Sequence, residues 1–255
     1  MNHVLAIARR ELDAYFAAPL GWLALCGFVF ITGVVFAIML VYYGLEVSQM
    51  AYNPYMEDQY NINQVLLPPL YGNVSVFLLM FCPLLSMRLF SEDRATRSFE
   101  LLMASPVTSG EIVLGKYLGA VGFIAVLLAA TLPCVAVLYW LGEPDAGVLA
   151  ANYLGLLLLA SSFMAVGLFT SSLTQSQVVS AIAGFAVLLG LFMVSWVGDF
   201  AGEGWAQSLV YLSLLTHNTE LSQGLLHIED IVYFVSFIAF FLFATQQRVE
   251  AFRWQ

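Results

Sequence analysis

The sequence carries very little charge. Charged residues make up 10% of its 255 residues, against about 25% in soluble globular domains. Hydrophobic residues make up 61%, and the mean hydropathy is +0.88. This composition excludes a water-soluble globule, a disordered chain and a nucleic-acid-binding protein, and it indicates a protein whose solvent is mostly lipid. The length suits one bundle of about six membrane-spanning helices.

Residues that could build a catalytic or metal site are also scarce. Cys26, Cys82 and Cys134 fall inside apolar runs without metal-ligand spacing, so we expect ordinary buried thiols. The predicted spans contain almost no ionisable side chain. Ion-coupled transporters usually need an intramembrane carboxylate or His. A membrane enzyme needs a cluster of Asp, Glu, His or Cys at membrane depth, so the sequence argues against both classes. We expect no catalytic residue and no metal site on this chain.

Apolar runs of spanning length dominate what is present. We predict an all-α membrane protein that forms a single domain over residues 1–255. The predicted transmembrane helices are 20–43, 70–90, 112–141, 148–170, 178–198 and 231–247. Residues 1–18 are different, because apolar side chains recur there at helical spacing opposite Arg9, Arg10 and Asp13. That pattern predicts an amphipathic interfacial helix before the first span.

The basic residues mark the orientation of the predicted bundle. With six spans, all eight lie on the same face as both termini: Arg9, Arg10, Arg88, Arg94, Arg97, Lys116, Arg248 and Arg253. Cytoplasmic loops of membrane proteins carry the excess of Lys and Arg. We therefore predict that both termini are cytoplasmic, with Arg88 and Lys116 snorkelling at the lipid boundary.

Two loops on the opposite face are long enough to carry structure. Residues 44–69 are rich in Tyr, Asn and acidic residues, and residues 199–230 have apolar side chains at roughly helical spacing. We predict that 199–230 forms an extracytoplasmic loop with short helices lying on, or dipping into, the outer leaflet. The histidines His3, His217 and His227 are far apart in sequence, and we expect them to cap helices or line interfaces rather than form a site.

The cytoplasmic segment 91–111 has its own local signals. Ser91 can cap a helix, Asp93 and Arg97 form an i,i+4 pair, and Pro106 ends the helix. Thr108 and Glu111 then predict a capping box that starts the next helix. The following run G-E-I-V-L-G-K matches a phosphate-binding loop except for the final Ser or Thr, which would hold Mg²⁺. We favour the helix start, because this run leads into a membrane span.

At these residues the chain resembles a known family. The order acid-acid-Arg, F-E-L-L, S-P-V-T and E-I-V-L-G-K over 92–116 resembles the cytoplasmic loop of ABC-2-type transporter permeases. The start I-A-R-R-E-L-D-A-Y-F-A-A-P-L looks like their N-terminal elbow helix. The run L-T-H at 215–217, Gly224 and I-E-D-I-V-Y-F at 228–234 are similar to the gliding-motility-type permease subfamily. One departure is Arg97-Ser98, where the family has Gly-Thr.

The resemblance implies a function and partners. The chain would be the permease subunit of an ATP-binding-cassette transporter in the bacterial inner membrane. It would carry no cofactor, since ATP and Mg would bind to a separate ATPase subunit. It would pair with a second permease copy or a sibling permease, contact membrane lipid and, in some complexes, dock a periplasmic-domain partner. Glu100 would anchor the segment that couples to the ATPase. The implied coupling residues are Glu92, Asp93, Arg94, Arg97, Phe99, Glu100, Leu101 and Pro106.

Two functions remain open at this point. The first is ATP-driven movement or export of a substrate across or out of the membrane. Because the span interiors are neutral, an amphipathic or lipid-linked molecule, a polymer or a peptide fits better than a small ion. The second is a mechanical or assembly platform of cell-envelope or gliding-motility machinery that transports nothing and docks a periplasmic partner through the acidic, aromatic loops 44–69 and 199–230.

Overall fold

The described part of the chain consists of a series of α-helices. The computed structural model describes residues 2–50, 65–96, 107–142, 144–200, 213–214, 216–218 and 227–252, and no β-strand occurs among them. The helices are α1 (Asn2–Ala17), α2 (Pro19–Met50), α3 (Leu67–Ser86), α4 (Arg88–Ala95), α5 (Ser109–Ala129), α6 (Leu132–Leu141), α7 (Ala146–Leu173), α8 (Gln177–Phe200) and α9 (Ile228–Phe252).

Six helical segments are long and apolar enough to cross a membrane. They are Pro19–Leu45, Leu67–Ala95, Ser109–Leu141, Ala146–Leu173, Gln177–Val194 and Ile228–Phe252. Each one overlaps one of the apolar runs found in the sequence, and α1 precedes them. The prediction of an all-α membrane protein with six transmembrane helices is therefore confirmed. The last span, whose clean apolar run is short, is part of a 25-residue helix.

Helix α7 is the centre of the bundle. It packs against α3, α4, α5, α8 and α9. In its most apolar stretch 78% of the residues are buried, compared with 17% in the spans of α8 and α9. The outer faces of α2, α8 and α9 carry exposed Phe, Val, Ile and Leu side chains. Large apolar faces of this kind suit lipid or another membrane subunit rather than water.

Two spans contain a break near a proline, the second span near Pro83 and the third span near Pro133. The second span breaks at Met87, after Pro83, and α4 begins there. The Ser171 hydroxyl of α7 binds the backbone groups at this break. It accepts hydrogen bonds from the N–H groups of Phe90 and Ser91 at 3.0 and 3.1 Å, and it donates one to the Met87 carbonyl at 2.9 Å. A neighbouring helix thus satisfies backbone groups that a kink would leave unpaired in lipid.

The cysteines are all free thiols, as the sequence predicts. Cys82 is buried and Cys134 is partly buried, but Cys26 is exposed on α2. The prediction that all three are buried is therefore wrong for Cys26. This residue is part of a long apolar run, but α2 packs one face against α3, α1 and α5, and Cys26 lies outside that face.

Candidate functional site

A buried lysine joins three helices at the end of the bundle where the basic residues cluster. Lys116 of α5 is 1% exposed. Its Nζ donates a hydrogen bond to Glu11 Oε1 of α1 at 2.8 Å and forms an ion pair with Asp93 Oδ2 of α4 at 2.6 Å. The expectation that Lys116 snorkels to the lipid boundary is therefore wrong. Two carboxylates compensate for its burial, which would otherwise cost several kcal/mol.

Two glycines bring Glu11 within reach of this lysine. A Cβ atom at Gly115 would lie 2.7 Å from the Ile7 side chain, and one at Gly119 would lie 2.7 Å from the Ala8 carbonyl oxygen. Such distances leave no room for any other residue, so α1 lies directly on the backbone of α5. The G-x-x-x-G pattern in the sequence is one that allows close helix approach. Here its partner is the interfacial helix α1.

An aromatic cluster fixes the other end of α1. Tyr15 stacks on Phe123 of α5 with ring centroids 4.6 Å apart, and its hydroxyl donates to the Leu85 carbonyl of α3 at 2.9 Å. Burial raises the pKa of Tyr15 above its ordinary value. The Arg88 guanidinium lies over the same ring, 4.4 Å from its centroid. Arg88 is thus held against an aromatic ring, a contact worth roughly 0.5–1 kcal/mol when exposed.

A charged cavity of about 420 Å³ lies between α1 and α4. It is lined by Arg10, Glu11, Ala14, Ala17, Ala18, Arg88, Glu92, Asp93 and Lys116. Arg10 donates to Glu11 Oε1 at 2.8 Å, and this hydrogen bond raises the pKa of the Arg10 guanidinium. Glu11 therefore accepts from two cations, Arg10 and Lys116, and is the hub of the ion-pair network around the cavity.

The predicted capping box also belongs to this end of the bundle and is present. The Glu111 backbone N–H donates to Thr108 Oγ1 at 3.3 Å, and the Thr108 N–H donates to Glu111 Oε2 at 2.9 Å. Helix α5 starts at Ser109 and contains the whole Gly110–Lys116 run. This run is therefore a helix start inside a membrane span rather than a phosphate-binding loop.

The sequence as a whole matches one family model, described as "ABC-2 family transporter protein", over residues 5–251. The chain belongs to the ABC-2 transporter family. Members of this family are membrane subunits of ABC transporters that are not catalytic themselves, and the family implies an ABC ATPase as a partner. No curated protein matches the chain.

The coupling residues implied for an ABC-2 permease fall partly within the described structure. Glu92, Asp93 and Arg94 lie on α4. Glu92 is exposed, whereas Arg94 is half-buried and donates to the Ser172 carbonyl of α7 at 2.9 Å. The rest of the set lies outside the described residues and stays a prediction: Arg97, Phe99, Glu100, Leu101 and Pro106.

A second polar cluster lies near the N-terminus of α9, at residues for which the sequence alone predicts no site. The His217 Nδ1 and Asp230 Oδ1 atoms are 2.6 Å apart, and the His217 ring stacks on Tyr233 with centroids 4.1 Å apart. Next to it, Asn218 donates to the Ser75 hydroxyl of α3 at 3.0 Å. All four polar residues are buried. Part of the 199–230 loop is therefore fixed between α3 and α9.

Proposed function

We propose that this ABC-2 chain is the permease subunit of an ATP-driven exporter in the bacterial inner membrane. In this proposal a separate ATPase moves segment 92–106, and the helices of the permease follow. The observation that carries the proposal is the buried Lys116 cluster. It links Asp93, at the start of the predicted coupling segment, to α1 and to α5.

The geometry of this cluster suits the transmission of movement. Ion pairs that are shielded from water are screened less than exposed ones and need accurate geometry to offset desolvation. A displacement of α4 that separated Asp93 from Lys116 would leave charge uncompensated in a buried site. Helices α1 and α5 would therefore move with α4 rather than lose the contact. Arg94, bound to the carbonyl of Ser172, would extend the same coupling to the central helix α7.

The proposed cargo is an amphipathic or lipid-linked molecule, a polymer or a peptide. Support comes from the scarcity of charge inside the spans and from the apolar outer faces of α2 and α8. We further propose that a second permease, either the same chain or a sibling, completes the translocation path. Two such bundles rocking against each other would open a cleft to the lipid without needing an ion-binding residue.

A second candidate is a platform that docks a periplasmic partner and transports nothing, as in gliding-motility systems. The observation that favours it is the His217 and Asn218 cluster. These side chains fix part of the predicted extracytoplasmic loop against α3 and α9, so a partner bound to that loop would be mechanically connected to the bundle. ATPase activity stimulated by a cargo would favour the exporter, and a tight periplasmic partner without any transported species would favour the platform.

Co-expression with the ABC ATPase encoded beside this chain tests the proposal. We expect the two proteins to co-purify, and we expect Glu100→Lys to abolish co-purification because it reverses the anchoring charge. Glu57→Lys is the matched control, because the same charge change then lies in the loop predicted to face the opposite side. An ATPase that still binds the Glu100→Lys variant would contradict the coupling assignment. Absence of any association would contradict the transporter proposal itself.

A further inference from the structure

Two arginines from different helices share one aromatic ring at the end of the bundle. The Arg94 guanidinium carbon of α4 lies 4.3 Å from the centroid of the Phe252 ring, and that of Arg248 in α9 lies 4.7 Å from it. The two guanidinium carbons therefore lie within about 9 Å of each other, and like charges at such a distance repel more strongly where water is partly excluded. The contacts of Arg94 and Arg248 with the Phe252 ring therefore concentrate positive charge at this place.

Acidic side chains do not neutralise this pair within the described structure. None of the ion pairs among the described residues involves Arg94 or Arg248. Asp93, the sequence neighbour of Arg94, pairs with Lys116 instead. Glu250 follows Arg248 by two positions, which is roughly 200° around a helix, so it lies on a different face of α9. An anion from outside the described structure would thus meet two guanidinium groups.

The two arginines also differ in how they are held. Arg94 is half-buried, and its Nη1 is fixed by the Ser172 carbonyl at 2.9 Å. Arg248 is exposed, and its cation–π contact with Phe252 is the interaction that orients it. An arginine has five N–H donors in a planar fork that matches the oxygen atoms of a phosphate. Among the described residues, the one hydrogen-bond partner of these donors is the Ser172 carbonyl on Nη1 of Arg94.

The surface beside the pair is apolar. Phe240, Ala244, Arg248 and Phe252 lie four residues apart and so form one row along α9. Phe240 is 65% exposed in this row, and Leu173 at the end of α7 is 47% exposed. A molecule that placed an anionic group on the arginines could therefore lay a hydrocarbon chain along this row. A phospholipid has both parts, an anionic phosphate and hydrocarbon chains.

We propose that Arg94 and Arg248 form a binding site for the phosphate of an anionic phospholipid, with an acyl chain along the exposed row of α9. Basic pockets between transmembrane helices are a known mode of recognising anionic head groups. The site shares α4 with the Lys116 cluster, but lipid binding by the two arginines does not require an ATPase that moves α4. Bound lipid would contact both α4 and α9 at the membrane boundary.

Binding of fluorescent phosphatidylglycerol to the purified full chain in neutral detergent micelles tests this site. We expect Arg248→Gln to weaken binding about tenfold, which corresponds to the loss of one charge-assisted contact. Arg248→Lys keeps the charge but not the fork, so we expect an intermediate loss. Arg9→Gln is the control, because Arg9 is exposed and pairs with Asp13 on the same helix. Its binding should stay within about twofold of the wild type.

Three outcomes would overturn the proposal. Equal weakening by Arg9→Gln and Arg248→Gln would show general charge attraction rather than a site. Unchanged binding in Arg248→Gln, with a folded protein, would remove the arginine pair from lipid binding. Displacement of the lipid by inorganic phosphate alone at millimolar concentration would assign the site to the free anion instead of the lipid.

Discussion

Replacing Lys116 by Met tests the ion network by removing its buried cation, which bridges Glu11 and Asp93, without a large change in volume. Glu11 and Asp93, whose side chains are 10% and 22% exposed, would then lie close together without Lys116 between them. Removing one partner of a buried salt bridge typically costs about 3–5 kcal/mol, because the remaining charge is left uncompensated. We expect about 3 kcal/mol here, since Asp93 keeps some access to water and Glu11 keeps Arg10 as a partner.

The assay is reversible unfolding of the purified chain in mixed micelles with increasing SDS, followed by tryptophan fluorescence. A loss of about 3 kcal/mol lowers the equilibrium constant for folding roughly a hundredfold. Arg9→Gln, which removes an 87% exposed cation on α1, should change the free energy of unfolding by less than about 0.5 kcal/mol. Adding Glu11→Gln to Lys116→Met should recover part of the loss. A Lys116→Met variant as stable as the control would refute the burial of this network.

Three further changes test other contacts by the same unfolding assay. Gly119→Ala should destabilise by about 1–3 kcal/mol because its Cβ would meet the α1 backbone, whereas Gly33→Ala, where nothing lies within 4 Å, should not; equal effects would contradict the close approach. Ser171→Ala should lower the free energy of unfolding by about 1–3 kcal/mol, since the buried N–H groups of Phe90 and Ser91 lose their acceptor. An unchanged free energy of unfolding would mean that these N–H groups have another hydrogen-bond partner. His217→Ala should cost a similar amount by leaving the Asp230 carboxyl without its partner, and exposed His227→Ala should be neutral; the reverse order would refute the outer cluster.

Local patterns predicted much of this architecture. The apolar runs predict six spans because lipid demands about 20 apolar residues per helix. The capping box could be predicted from the sequence because Thr108 and Glu111 are three residues apart and need no distant partner. The G-x-x-x-G pattern permits a close helix approach, but nothing in the sequence identifies α1 as the helix that lies against Gly115 and Gly119.

Contacts between residues far apart in the sequence could not be predicted from the sequence. Lys116 looked like a boundary residue because its partners Glu11 and Asp93 precede it by 105 and 23 positions, and a single sequence gives no measure of such distances. His217 and Asp230 are only 13 positions apart, but no sequence pattern indicates that the side chain of one reaches the other. The signal that could have revealed them is that both lie in the runs that resemble motifs of the gliding-motility-type permeases. The coupling residues from Arg97 to Pro106 remain predictions.

The most direct test of the coupling account is a distance measurement in the assembled complex. Spin labels on the exposed positions Asp13 of α1 and Gln247 of α9, in a chain whose three cysteines are replaced, would report movement of α1 against the bundle when ATP binds to the ATPase. We predict an ATP-dependent change in distance that is lost in Asp93→Asn and retained in Glu92→Gln, with the ATPase bound in both. The same change in Asp93→Asn would contradict the account, and so would the absence of any change in the unmodified network.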